Sequence, residues 1–183
     1  QRLHRPNEIL YRRQNARHHC SLFYRGANYG IDPNTSARGP ESIVQGSSST
    51  SRAFQVTCLN TTTNVSVDGF LFELGSPLHD GNDTGNGPSN CDVSFTNNLV
   101  QNANAIYYGQ GTSWKNVLIS NNLFQDINAT PTTSALQLLG GSLSATITDN
   151  VFNNINYSAI SSGSIPSVTI SGNAIDGTGN TGI

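Results

Sequence analysis

The chain has 183 residues, of which 35% are hydrophobic and 11% are charged, and its net charge is −2. This length is enough for one domain with a sizeable core, and the composition excludes an intrinsically disordered chain. The near-neutral charge excludes a global field for nucleic acid, and no apolar run reaches the roughly 18 residues of a membrane span.

Residues 1–21 differ in composition from the rest of the sequence. Six of the nine Lys and Arg residues fall within the first 25 positions, and the segment has no alternation of apolar and polar residues. We expect an atypical basic lead over 1–21, followed by one domain over 22–183. The sequence leaves open whether the lead is a flexible extension, foreign sequence or a site for an anionic partner.

A short repeat runs from about residue 54 to the end. Its copies are VSVDGFLFEL, VSFTNNLVQN, VLISNNLFQDI, ATITDNVFNN and VTISGNAIDG. The short alternating segments are separated by Asn, Gly, Ser and Thr, which predicts strands and leaves no window for a helix of ten residues. Four asparagines take the same position in successive copies at spacings of 24, 28 and 23 residues, namely Asn98, Asn122, Asn150 and Asn173. Bounded spacings of this size indicate a solenoid.

The repeated asparagine predicts a ladder of side-chain amides. Asparagine is depleted in strands and favours turns, so its recurrence suggests one bend in each coil. Amides stacked at such a bend can donate to one neighbour and accept from the other. The alternative is a set of surface turn residues without a ladder. We expect Asn121, which precedes the ladder residue Asn122, to be the less constrained of the two.

The V-x-I-x-x-N-x-F pattern over residues 54–183 resembles the right-handed parallel β-helix superfamily, the fold of pectate lyases, polygalacturonases, alginate epimerases and many bacterial surface proteins. The stretch FYRGANYG resembles the early coil of bacterial β-helix repeat proteins. The resemblance implies an all-β, right-handed parallel β-helix (pectate-lyase-like fold) of about five to six coils with an irregular N-terminal lead, in a secreted or cell-surface protein. A leucine-rich-repeat solenoid is the other possibility, but its L-x-x-L-x-L spacing is absent.

The end of the sequence predicts that a further coil follows it. Ile183 falls where a further strand should begin, and nothing after it covers the last apolar layer, although solenoids need terminal caps. We therefore expect a domain truncated at its C-terminal end, with coils or domains of a longer parent chain as its neighbours.

Residues that could carry catalysis are few, and the sequence does not identify a catalytic set. The N-T-D, D-D, G-H-G and R-I-K motifs of polygalacturonase-like chains are absent, and no arginine follows Arg52. The weak candidates lie near the longest interruption, residues 75–90, and are Asp68, Glu73, His79, Asp80 and Asp83. We expect His79 on the surface of that loop. Whether the chain is an enzyme stays open.

Three further groups are candidates for binding or cross-linking. Asp80, Asn82 and Asp83 partly match the oxygen-rich start of a calcium loop but lack its distal Glu, so calcium competes with a solvated turn, and no other cofactor is predicted. Trp114 and Tyr108 are candidates for stacking on a sugar. Cys58 and Cys91 could form a bridge between coils, or Cys20, Cys58 and Cys91 could all be buried free thiols.

Two functions remain for this sequence. The first is a structural or adhesive β-helix segment whose partner is a polysaccharide or cell-surface glycan. The alternative is a fragment of a polysaccharide lyase, glycoside hydrolase or uronate epimerase acting on acidic polysaccharide. The enzyme hypothesis predicts that acidic and basic side chains cluster on one outward face near residues 75–90.

Overall fold

Short strands of three to seven residues follow one another along the chain. In the computed structural model, the described residues are 20–47, 51–56, 62–80, 91–103, 106–108, 114–127, 134–140, 144–179 and 183. All the regular elements in these ranges are strands, and they pair in parallel. The ranges contain no helix with the length and hydropathy of a membrane span.

The strands form three parallel sheets, named A, B and C. Sheet A contains β1 (Cys20–Arg25), β4 (Thr62–Asp68), β7 (Cys91–Thr96), β10 (Trp114–Ser120), β13 (Ser144–Thr148) and β16 (Ser167–Ser171). Sheet B contains β2 (Ile43–Gln45), β5 (Leu71–Glu73), β8 (Leu99–Gln101), β11 (Leu123–Ile127), β14 (Val151–Ile155) and β17 (Ala174–Thr178). Sheet C contains β3 (Arg52–Val56), β6 (Ser76–Asp80), β9 (Ile106–Tyr108), β12 (Ser134–Gly140) and β15 (Ser158–Ser164). One strand from each sheet, taken in chain order, makes one coil, which is consistent with a parallel β solenoid.

The core consists of apolar side chains stacked in register between coils. One row in sheet A contains Val67, Phe95, Ile119, Ile147 and Ile170. A row in sheet B contains Phe72, Val100, Phe124, Phe152 and Ile175. These are the alignments that the repeat predicts, and most of their members are buried. Alternation along each strand turns these side chains inward, where burial of each stabilises the fold by about 1.5–3 kcal/mol.

Residues with positive φ recur at two bends of the coil. Between sheets A and B they are Gly69, Asn97, Asn121, Asp149 and Gly172, and near the ends of the sheet B strands they are Leu74, Asn102, Asp126, Asn154 and Gly177. Asn, Asp and Gly tolerate the left-handed region best. Asn121, which we expect to be less constrained than Asn122, has a φ of 55°, so its backbone favours Asn, Asp or Gly at this position. The comparison between the two residues stays a prediction.

The predicted hydrogen bonds between asparagine side chains are present beside the first of these bends. Nδ2 of Asn98 donates to Oδ1 of Asn122, Nδ2 of Asn122 to Oδ1 of Asn150, and Nδ2 of Asn150 to Oδ1 of Asn173. Asn98, Asn122 and Asn150 are fully buried. In the preceding coil Phe70 takes the equivalent position, and its backbone N–H donates to Oδ1 of Asn98 at 3.0 Å.

The structure agrees only in part with the predicted boundaries of the N-terminal lead and of the interruption at 75–90. Residues 1–19 of the predicted lead lie outside the described residues, whereas Cys20 and Ser21 begin β1. The predicted interruption over 75–90 begins with a strand, because Ser76–Asp80 pairs with β3 and β9. Residues 81–90 lie outside the described ones.

Candidate functional site

The described candidates for catalysis lie on three different sheets. Asp68 ends β4 of sheet A, Glu73 ends β5 of sheet B, and His79 lies in β6 of sheet C. The side chain of Asp80 and the whole of Asp83 are outside the described part of the structure. The described ranges contain no group of three His, Cys, Asp or Glu side chains that could hold a metal ion.

Asp68 is a buried acceptor for three donors at the bend between sheets A and B. Its Oδ1 accepts the backbone N–H of Gly30 at 2.9 Å, and its Oδ2 accepts from Oγ1 of Thr96 at 2.8 Å and Nδ2 of Asn97 at 3.0 Å. Both carboxylate oxygens are thus used in joining neighbouring parts of the fold. This arrangement fits a structural carboxylate.

Glu73 belongs to a row of polar side chains on the outer face of sheet B. Its Oε1 accepts from Nε2 of Gln101 at 2.7 Å, and Oε1 of Gln101 accepts from Nε2 of Gln125 at 3.0 Å. The register aligns these three residues in β5, β8 and β11. Glu73 therefore ends a run of hydrogen-bonded polar side chains on a different sheet from Asp68.

The expected surface position of His79 is wrong. Its side chain is only 5% exposed, and its strand pairs with Gln55 on one side and Tyr107 on the other. The pattern Ser-Pro-Leu-His-Asp continues the alternation of a strand, with Leu78 in register with the core residue Phe54. The sequence after Asp80 is rich in Gly and Asn, which is typical of a loop, and this composition is the reason that the whole interruption is predicted as a loop. The calcium candidates Asn82 and Asp83 lie outside the described residues.

The expected role of Trp114 in sugar stacking is also contradicted. Its ring is 0% exposed, and its Nε1–H donates to the backbone oxygen of Val56 at 3.2 Å. A tryptophan can enter the core when its N–H finds a partner, as it does here. The side chain of Tyr108, the other candidate, is outside the described ones.

Among the residues whose side chains the structure describes, the exposed aromatic ones lie in and just after β1. Phe23 is 56% exposed and Tyr29 is 50% exposed. The guanidinium carbon of Arg25 lies 4.2 Å from the ring centroid of Tyr29 and 5.9 Å from that of Phe23, within cation–π range of both. The sequence signal was the alternation in CSLFYR, which places Phe23 and Arg25 on the face opposite to Tyr24.

Phe23 begins a row of side chains along the outer face of sheet A. The following members, in register, are Ser66, Ser94, Leu118, Thr146 and Thr169. We call this row, from Phe23 to Thr169, the hydroxyl face. It presents an aromatic ring at one end and hydroxyl groups along its length, interrupted by the exposed Leu118. The row two positions further along the strands is less accessible, because Asp68 and Ser120 are buried and the hydroxyl of Thr96 donates to Asp68.

Cys91, at the start of β7, is fully buried and disulfide-bonded. The interpretation of all three cysteines as buried free thiols is therefore wrong for Cys91. The side chains of Cys20 and Cys58, the other two cysteines of the sequence, are outside the described ones.

Comparison with known proteins adds no family. The sequence matches no protein-family model, no curated protein and no solved structure.

Proposed function

We propose that this chain is a segment of an extracellular right-handed parallel β-helix that serves as a structural or adhesive stalk and contacts a glycan through the hydroxyl face. The observation that carries the proposal is the register of the exposed Phe23 ring with Ser66, Ser94 and the hydroxyl groups beyond them. An aromatic ring offers apolar area to the C–H face of a sugar, and side-chain hydroxyls both donate to and accept from sugar hydroxyls.

The spacing of the hydroxyl face suits an extended polysaccharide. Neighbouring strands of a sheet lie about 4.8 Å apart, so each row repeats at that distance from coil to coil. This distance is close to the length of one sugar unit in an extended β-linked chain. A glycan lying across the strands would therefore meet one side chain of the row per sugar, which is a hydroxyl group at every position after Phe23 except Leu118.

The charges of sheet A favour a neutral glycan. The described strands of this sheet carry two cations, Arg25 and Lys115, and two carboxylates, Asp68 and Asp92. Arg25 contacts aromatic rings, and Asp92 accepts from Nδ2 of Asn116 at 2.6 Å. An acidic polysaccharide would need an excess of cations, whereas hydroxyl and amide groups suffice for a neutral one.

Two features support the assignment to an extracellular β-helix. The stacked parallel sheets and the asparagine ladder agree with the resemblance of the repeat to right-handed β-helices. The disulfide at Cys91 supports an oxidising compartment, because disulfides persist mainly in secreted and surface proteins.

The polysaccharide-enzyme alternative required charged groups clustered on one outward face. Among the described candidates, Asp68 and Glu73 are engaged in hydrogen bonds on different sheets, and His79 is buried on a third. No observation on these residues favours the enzyme over the stalk.

A polysaccharide-binding experiment tests the proposal. The intact chain is screened on an array of neutral and acidic polysaccharides, together with Phe23→Ala and, as a matched control on sheet B, Ile43→Ala, which is 57% exposed in the wild type. We expect binding to a neutral β-linked glycan that Ile43→Ala leaves unchanged. Phe23→Ala should weaken it by up to about tenfold, since aromatic stacking is worth about 0.5–1.5 kcal/mol. No binding above background, or equal binding by all three proteins, would overturn it.

A further inference from the structure

The segment between β1 and β2, residues 26–42, lies lengthwise along the bends between sheets A and B, and we call it the strap. Nη2 of Arg38 donates to the backbone oxygen of Phe70 at 3.2 Å, and Nη1 donates to that of Asn97 at 2.8 Å. Nδ2 of Asn34 lies 3.4 Å from the oxygen of Asn122 and 3.5 Å from that of Asp149. Two side chains of the strap thus contact bends that follow β4, β7, β10 and β13.

The strap holds Arg38 in a fixed orientation. Its Nε and Nη2 donate to the two carboxylate oxygens of Glu41 at 2.6 Å and 2.8 Å, and its side chain is only 9% exposed. A guanidinium fixed by a two-point ion pair keeps its remaining N–H groups aimed at the carbonyls. The pairing with Glu41 also balances the buried charge.

Two further contacts fix the strap to itself and to the coil beneath. The buried Asn28 accepts the N–H of Gly39 at 2.7 Å and donates to Oε2 of Glu41 at 2.9 Å. The N–H of Gly30 donates to Asp68. At the crossing point, a Cβ on Gly69 would collide with the backbone of Asn28 and Tyr29, and its φ is +79°. The strap and the second coil are therefore in close backbone contact.

In an ordinary solenoid each repeat contacts only its neighbours, so the end repeats can unfold separately. The strap departs from this rule, because Asn34 and Arg38 lie four residues apart in sequence and contact bends separated by up to 79 residues, Phe70 to Asp149. We propose that the strap is a lengthwise clamp that couples the opening of the coils from β4 to β14. Removing one of its contacts then weakens bends that this contact does not touch.

Hydrogen exchange of backbone amides in the intact chain tests the clamp. The reporters are the N–H of Leu99, which donates to Phe70, and the N–H of Val151, which donates to Asn122. Arg38→Ala removes the contacts near Leu99, and we expect it to speed exchange at Val151 as well, by about fivefold, the factor that 1 kcal/mol produces. Asn34→Ala removes the contacts near Val151, and we expect it to speed exchange at Leu99 as well, since coupling between sites is reciprocal.

Two additional variants make the result decisive. Arg38→Lys keeps the charge but loses the planar guanidinium that binds several acceptors at once, so it should speed exchange at Val151 in a protein that is still folded. Lys115→Ala removes an exposed cation of sheet A and should change exchange at neither reporter. If each strap variant speeds exchange only at the bends it contacts, or speeds none, the strap is not a clamp. The glycan-binding experiment does not depend on this result, because Phe23 lies outside the strap.

Discussion

One side-chain oxygen of Asn122 accepts two hydrogen bonds from Asn98. Oδ1 of Asn122 accepts the backbone N–H of Asn98 at 2.9 Å and its side-chain Nδ2–H at 3.3 Å. The same pair of bonds joins Asn122 to Asn150 and Asn150 to Asn173. Each asparagine therefore satisfies a buried backbone donor of the preceding coil, and the ladder has a direction along the solenoid.

Replacing Asn122 by leucine should destabilise the fold strongly. The change leaves the N–H of Asn98 without its acceptor and removes the donor to the oxygen of Phe95. Each buried group left unpaired costs about 1–3 kcal/mol, so we expect a loss of about 3 kcal/mol or more in the free energy of unfolding. Urea unfolding followed by circular dichroism measures it.

The neighbouring Asn121 provides the matched control. Its side chain is half-buried, but its φ of 55° limits which residues fit. Asn121→Gly should be nearly neutral, whereas Asn121→Val should cost about 1–2 kcal/mol because a β-branched residue disfavours the left-handed region. Equal tolerance of substitutions at Asn121 and Asn122 would remove the ladder as a source of stability.

Leu74 is an unfavourable residue for its backbone conformation at the bend near the end of the sheet B strands. Its φ is 59°, and the equivalent positions in later coils are Asn102, Asp126, Asn154 and Gly177. The side chain is 39% exposed, so little packing is lost on its removal. Leu74→Asn should raise the free energy of unfolding by about 1 kcal/mol, measured as a higher thermal midpoint.

Leu118→Asn is the control for Leu74, because Leu118 is equally exposed at 39% but lies within the regular strand β10. Asparagine disfavours strands, so this variant should gain nothing. A midpoint unchanged or lowered by Leu74→Asn would mean that the bend carries no strain from leucine.

The predictable part of this molecule is the part that repeats. The core rows containing Ile119 and Phe124 follow from alternation, since a one-residue slip would turn every apolar side chain outward. Alternation does not show which positions at the ends of strands are covered by neighbouring segments, and it therefore does not predict that His79 and Trp114 are buried. The strap was missed for a different reason: Arg38 binds carbonyls far away in sequence, and a single contact of this kind leaves no periodic signal.

Asp68→Asn tests whether this carboxylate stabilises the bend between sheets A and B. The asparagine amide would direct N–H groups at the donors of Gly30, Thr96 or Asn97, because only one of its two polar atoms can accept. We expect a loss of about 1–3 kcal/mol in stability, seen in urea unfolding, with no change in glycan binding. Unchanged stability would show that these three bonds do not stabilise the bend.

Trp114→Phe and Phe23→Ala should have opposite effects on stability and binding. Trp114 is the single tryptophan of the chain and is buried, so its replacement removes the donor to Val56 and part of the core packing, at a cost of about 1–3 kcal/mol. The exposed Phe23 contributes little to the core, so Phe23→Ala should leave the unfolding midpoint nearly unchanged while weakening glycan binding. Thermal unfolding and a polysaccharide pull-down on the same samples measure both quantities. Loss of binding in Trp114→Phe at a temperature where the variant is folded would contradict the assignment of Trp114 to the core and restore it as a contact for the sugar.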